Sequence, residues 1–156
     1  MNAHPVGCER YVQRQIQYVQ DQLPIEGPRN VLVIGASGGY GLSSRIVAAF
    51  GAKASTIGVS YETPAKGRRT ASAGWYNDIA FRKAADEANL YNRSFITDAF
   101  AHETKEQVIE EIKTSVGHVD LVIYSLASGV RTDPDTGAKY YSVLKPVDRE
   151  YTGSSL

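Results

Sequence analysis

Short apolar runs alternate along the chain with longer stretches in which apolar positions recur every three or four residues. Val12, Ile16, Val19 and Leu23 share one face of a helix predicted over Cys8–Leu23, and Pro24 with Gly27-Pro28 ends it. Asn30–Ile34 predicts a strand and Tyr40–Phe50 a helix stopped by Gly51. Ala54–Ser60, Tyr91–Thr97 and Val119–Ser125 predict further strands, with helices over Trp75–Asn89 and Ala101–Val116 between them. Val119–Ser125 is apolar on both faces, as a central parallel strand should be. This alternation implies right-handed βαβ crossovers and a doubly wound parallel sheet of the α/β class, a Rossmann arrangement. A sheet of two mononucleotide halves typically has about six strands. Four are legible here, so the expected sheet is incomplete. Beyond Ser125 the pattern weakens: Ala127–Gly137 is turn-rich, and Lys139–Val147 predicts an irregular strand.

The turn between the first strand and the next helix reads Gly35-Ala36-Ser37-Gly38-Gly39-Tyr40-Gly41. A glycine turn that runs straight into a helix presents backbone N–H groups and a partial positive charge, both suited to a pyrophosphate. Its Gly-x-x-x-Gly-x-Gly spacing is that of short-chain reductases; taken alone it also reads as a plain tight turn. Glu62 follows Gly41 by 21 residues, at the end of the second strand. A carboxylate there accepts hydrogen bonds from the ribose hydroxyls of a dinucleotide. It would repel a 2′-phosphate, so NADH is expected over NADPH. A solvated loop glutamate is the plainer alternative, and Lys66, Arg68 and Arg69 could cradle a 2′-phosphate if the polar loop Thr63–Gly74 folded back. Asp98-Ala99 and Leu126-Ala127 follow the third and fourth strands, at the sheet edge where ligands of open α/β folds bind. Asp98 alone also reads as the N-cap of a short turn. Ser128, Tyr141 and Lys145 have the spacing of a short-chain dehydrogenase triad. The segment before Tyr141 contains Pro134 and Gly137, which argues against the helix that triad requires.

The totals narrow the field. The chain has 156 residues, 42% of them hydrophobic and 22% charged, enough for one domain with a single core. Lys plus Arg and Asp plus Glu are 17 each, so no global field attracts nucleic acid or an anionic membrane. No apolar stretch approaches the roughly 20 residues of a membrane span, and the first residues lack a signal-peptide pattern. Cys8 is the single cysteine, which suits a reducing cytoplasm. His4, His102 and His118 are too scattered for a metal site.

Several longer motifs carry a resemblance. They are His4-Pro5-Val6-Gly7-Cys8, Val31 through Leu42, Thr56-Ile57-Gly58-Val59 leading to Glu62, Ala73-Gly74-Trp75-Tyr76-Asn77, Asp98-Ala99-Phe100 and Val119 through Ala127. Pro134-Asp135-Thr136-Gly137 and Leu144-Lys145-Pro146 fit as well. In this colinear order the chain resembles the FabV/TER family of NADH-dependent trans-2-enoyl-ACP/CoA reductases of fatty acid biosynthesis. The resemblance implies NADH contacts at Gly35, Ala36, Ser37, Gly38, Gly39, Tyr40, Tyr61, Glu62, Asp98, Ala99, Leu126 and Ala127. It implies an enoyl thioester of CoA or acyl carrier protein as the full enzyme's substrate. The family's catalytic tyrosine and lysine lie beyond position 156. Residues 1–156 would then be the N-terminal part of an NAD(H)-binding domain, without turnover alone. Rival readings are a non-catalytic nucleotide-binding module and a short-chain dehydrogenase using Ser128, Tyr141 and Lys145.

Overall fold

The computed structural model of the protein describes residues 3–143. Helix α1 (Pro5–Gln20) starts earlier than its apolar spacing suggests. His4 caps it, Nδ1 accepting from the Gly7 N–H at 3.1 Å, and Pro5 enters with its φ already near the helical value. Strand β1 (Asn30–Ile34) leads through the glycine turn into α2 (Gly39–Ile46). Then follow β2 (Ser55–Ser60), α3 (Ala73–Glu87), β3 (Asn92–Ile96), α4 (His102–Glu111) and β4 (Leu121–Tyr124). The four strands form one parallel sheet in the order β3-β2-β1-β4. Val31 stands opposite Thr56 on one side and Leu121 on the other. This is the crossover pattern expected of a doubly wound sheet.

Two helices end in wider turns that apolar periodicity does not reveal. Residues Val47–Gly51 continue α2 as a π-helical turn, with the Ala52 N–H reaching the Val47 carbonyl at 3.2 Å. Residues Ile112–Val116 do the same after α4, closed by the Gly117 N–H on the Ile112 carbonyl at 2.7 Å. Gly117 has φ +80°, a conformation that favours glycine. Beyond β4 the structure corrects the turn-rich reading of 127–137. Strand β5 (Val130–Thr132) pairs antiparallel with β6 (Lys139–Tyr141). The hairpin loop is tied by Asp133, whose carboxylate accepts from the Asp135 and Thr136 N–H groups.

Alternation along β1 divides the interior. Val31 and Val33 face α2 and meet Ala36, Ala48 and Ala54, while Leu32 joins Ile57, Val59 and the α4 residue Val108 on the opposite face. Helices α1, α2 and α3 interlock over the first face through Val12, Ile16, Leu42, Ile46, Phe50 and Phe81. The Phe50 and Phe81 rings meet edge to face at 6.1 Å.

Into this apolar layer the chain inserts a charge. Arg45 is 1% exposed, and its guanidinium sits 4.2 Å over the Phe81 ring. It pairs with Asp78 at 3.3 Å and donates to Thr56, to Ser94 and to the Arg93 carbonyl. Asp78 is held in turn by Arg82 at 2.9 Å and by the Ser94 hydroxyl. Burial pushes the Arg45 guanidinium down to about 10, against the attraction of Asp78, so it stays charged at neutral pH. The cluster joins α2, β2, β3 and α3. The side chain runs past Gly58, where a Cβ would collide with the guanidinium.

The expectation of a central fourth strand is not met among the described residues. β4 lies at the sheet edge, and Leu121, Val122 and Tyr124 are exposed. Its apolarity fits burial on both faces, but it is paired on its β1 side alone. Its start is pinned by Asp120, whose Oδ2 accepts from the Arg29 and Asn30 N–H groups at 2.9 and 2.8 Å.

Two outcomes follow from these contacts. Arg45→Ala leaves the buried Asp78 carboxylate to Arg82 and Ser94 alone and should lower the unfolding free energy by about 3 kcal/mol. A urea midpoint equal to wild type would contradict the role given to the cluster. The Arg29 and Asn30 amides hold the Asp120 carboxyl below the ordinary carboxylate range. A depressed carboxylate stabilises the fold above its unfolded value and loses that contribution as pH falls through the folded one. Asp120→Asn should therefore show a smaller loss of thermal stability between about pH 5 and pH 2 than wild type, and an equal loss would refute it.

Candidate functional site

At the carboxyl ends of the strands the chain passes from β1 to α2 with almost no room for side chains. Gly35 has φ +92°, and a Cβ there would strike the backbone carbonyl of Ser125, just past β4. A Cβ on Gly41 would strike the Gly35 carbonyl. Both glycines serve backbone-to-backbone packing. The Gly35 and Ala36 N–H groups are already engaged by the Val59 carbonyl, at 2.8 and 3.1 Å. They tie the turn to β2, so these two N–H groups are engaged within the protein.

The donors therefore begin later. Gly38 is the N-cap of α2, and no side chain caps it. The first helical N–H groups, at Gly39, Tyr40 and Gly41, have no intrahelical partner by geometry. Cβ atoms at Gly38 or Gly39 would meet nothing within 4 Å, so the space before this helix end is open. An uncapped helix start facing open space suits an anion. Tyr40 stands 88% exposed at its rim.

Glu62, directly after β2, reaches this turn. Its Oε1 accepts from the Ser37 hydroxyl at 2.5 Å, and its Oε2 accepts from the Ser72 hydroxyl. The carboxylate is thus fastened beside the glycine turn and does not wave in solvent. Asn77 of α3 donates from Nδ2 to the Ser37 carbonyl at 2.9 Å, so the same helix braces the turn from behind. Asn77 is buried, and its Oδ1 has no partner among the described residues. The loop between Glu62 and α3 is a small hairpin, closed by Lys66 and Arg69 exchanging backbone bonds at 3.0 Å. Lys66, Arg68 and Arg69 are exposed.

The remaining candidates gather around a cavity of about 430 Å³ lined in part by Tyr61, Asp98, Ala99 and Leu126. Ala127 is exposed just beyond it. Asp98 caps the short turn before α4, its Oδ1 accepting from the Phe100 N–H at 2.9 Å, while Ala101 holds the N-cap position of the helix. The β5–β6 hairpin supplies the opposite wall through Val130, Thr132 and Lys139. Arg131 lies 5.2 Å over the Phe100 ring and His102 meets Asp135 at 2.8 Å, which clasps the hairpin to the loop after β3 and to the start of α4. Sequence reasoning missed this wall, although Asp133-Pro134-Asp135-Thr136-Gly137 carries the turn chemistry for it. The rival triad finds no helix: Tyr141 lies on β6, the Ser128 hydroxyl donates to the Val130 carbonyl, and Lys145 falls outside the described residues.

Comparisons with known proteins identify relatives of this chain. A family model for the "NAD(P)H binding domain of trans-2-enoyl-CoA reductase" matches residues 1–67, and one for the "Trans-2-enoyl-CoA reductase catalytic region" matches residues 69–156. The chain is 56% identical to an enoyl-[acyl-carrier-protein] reductase [NADH] of Colwellia psychrerythraea, over 99% of its own length and 39% of that protein's. It is 52% identical to a trans-2-enoyl-CoA reductase [NADH] of Ruminiclostridium cellulolyticum, again over 99% and 39%. The crystal structure of Clostridium acetobutulicum trans-2-enoyl-CoA reductase in complex with NADH superposes with a TM-score of 0.92. That match has 47% identity and covers 97% of this chain and 38% of that one. The chain spans about two fifths of the length of these relatives. A turn closed by backbone contacts, an uncapped helix start and two family models that together run from residue 1 to 156 lead to one statement: this chain belongs to the trans-2-enoyl-CoA reductase family.

Proposed function

We propose that this chain is the NADH-binding part of an NADH-dependent reductase acting on the trans-2 double bond of enoyl thioesters, carried by CoA or acyl carrier protein, in fatty acid synthesis. One observation carries the reading: the uncapped start of α2 opens beside a carboxylate that is already fixed against the turn. In this reading the N–H groups from Ser37 to Gly41 receive the pyrophosphate, and Glu62 receives the adjacent ribose hydroxyls. Gly35 and Ala36 shape the turn without donating. Tyr61, Asp98 and Ala99 border the adenine, and Leu126 and Ala127 line the path toward the nicotinamide. When bound, the cofactor supplies a hydride for the β-carbon of the enoyl thioester. The names of the relatives, each an NADH reductase of enoyl-ACP or enoyl-CoA, support both cofactor and substrate class. A cytoplasmic setting accords with a single cysteine and such a pathway.

Titration of the protein with NADH and NADPH should show tighter binding of NADH. Glu62→Gln removes the negative charge that opposes a 2′-phosphate, and the preference should shrink by about tenfold, equivalent to roughly 1.4 kcal/mol. Equal binding of both nucleotides by wild type would defeat the ribose assignment. Gly41→Ala forces the turn off the Gly35 carbonyl and should weaken NADH by tenfold or more. Retention of wild-type affinity in that variant would show that the turn does not hold the pyrophosphate.

A further inference from the structure

Glu62 does not hold its position by itself. Its two oxygens are divided between two hydroxyls, one from the glycine turn and one from Ser72, the residue that precedes α3. Ser72 occupies the N-cap position, where a serine ordinarily bonds the helix's own N–H groups. Its side chain makes no such cap bond here. The hydroxyl is given over to the carboxylate, while Ser72 Oγ also accepts from the Thr63 N–H at 3.1 Å and the Ser72 N–H donates to the Thr63 carbonyl at 2.9 Å. The residue after Glu62 and the residue before α3 are therefore locked together.

Gly74 completes the seat. A Cβ at this position would overlap the Glu62 carboxylate, so the absence of a side chain makes room for it. Gly74 sits in the first turn of α3, without the positive φ that would demand glycine for backbone reasons. Glycine is unfavourable in a helix relative to alanine, by roughly 1 kcal/mol. The clash with Glu62 is the contact that accounts for it.

We infer that Ser72 and Gly74 are positioning residues for cofactor selection: together they hold the Glu62 carboxylate at the ribose site, and they set the preference for a 2′-hydroxyl over a 2′-phosphate. The inference rests on the cofactor reading above and extends it from Glu62 to the two residues that seat it. A fixed acceptor binds its donor without first losing conformational freedom, and a fixed charge cannot swing away from an incoming phosphate. Releasing it affects both nucleotides in opposite directions.

The test compares wild type, Ser72→Ala, Ser72→Thr and Gly74→Ala by NADH and NADPH titration, with thermal melting of each. Ser72→Ala should weaken NADH by about threefold and, with NADPH somewhat tighter, reduce the NADH preference by about fivefold. Ser72→Thr keeps the hydroxyl and should restore the preference to within about twofold. Gly74→Ala should lower the preference as well, yet melt at or above the wild-type temperature because alanine favours the helix. In a Glu62→Gln background, Ser72→Ala should change the preference little, because both act through one group. An unchanged preference in Ser72→Ala and Gly74→Ala, with NADH-selective wild type, overturns the inference and leaves the cofactor reading standing. Wild type that binds neither nucleotide overturns both.

Discussion

The fold depends on how closely three backbone segments meet at the carboxyl end of β1. The Gly35 Cα faces the Ser125 carbonyl, and the Gly41 Cα faces the Gly35 carbonyl, at separations that no Cβ fits. This contact sets the angle between β1 and α2, and it binds both to the end of β4. It also determines where the helix opens, because a start at Gly39 with an uncapped Gly38 leaves its first amides without a side-chain cap beside open space. A larger residue at either glycine would move the helix start and the anion site together.

Around that contact the structure spends buried polar groups in two different ways. The Arg45–Asp78 cluster lies deep between α2, α3 and the β2–β3 half of the sheet, its hydrogen bonds made to protein partners. Its chemistry is that of a buried ion pair, whose removal in part is far costlier than its presence is beneficial. The Glu62 cluster lies at the rim, half-buried, held by hydroxyls that leave further lone pairs for a ligand. Both clusters converge on α3: Asp78 turns into the core, and Ser72, Gly74 and Asn77 turn toward the glycine turn. That helix thereby fixes the sheet and the site at once.

Much of this was legible from the residues. Strands β1 and β2 follow from apolar runs to within one position, since a parallel strand buried on both faces favours continuous apolarity. The glycine turn, Glu62, Asp98 and Leu126 are found where strand ends predict them, because sheet topology alone assigns them to one edge. What was not legible depends on tertiary partners. A lone Arg45 in an amphipathic helix reads as solvated; only the fold brings Asp78, 33 residues away, to its guanidinium. The π-helical ends of α2 and α4 differ from ordinary turns in one hydrogen bond each, which periodicity cannot sense. The β5 strand is three residues long and exposed, too short for a pattern of its own. The centrality expected of β4 came from its apolarity, which reports a preference for burial rather than the presence of a neighbour.

The most direct test of the account is an amide NMR titration of the protein with NADH. It predicts that the largest shifts fall on the backbone N–H groups from Ser37 to Gly41, with Gly35 and Ala36 less affected because the Val59 carbonyl already holds them. Saturation that leaves residues 37–41 unmoved, while shifting signals elsewhere in the chain, would contradict the claim that this turn receives the diphosphate.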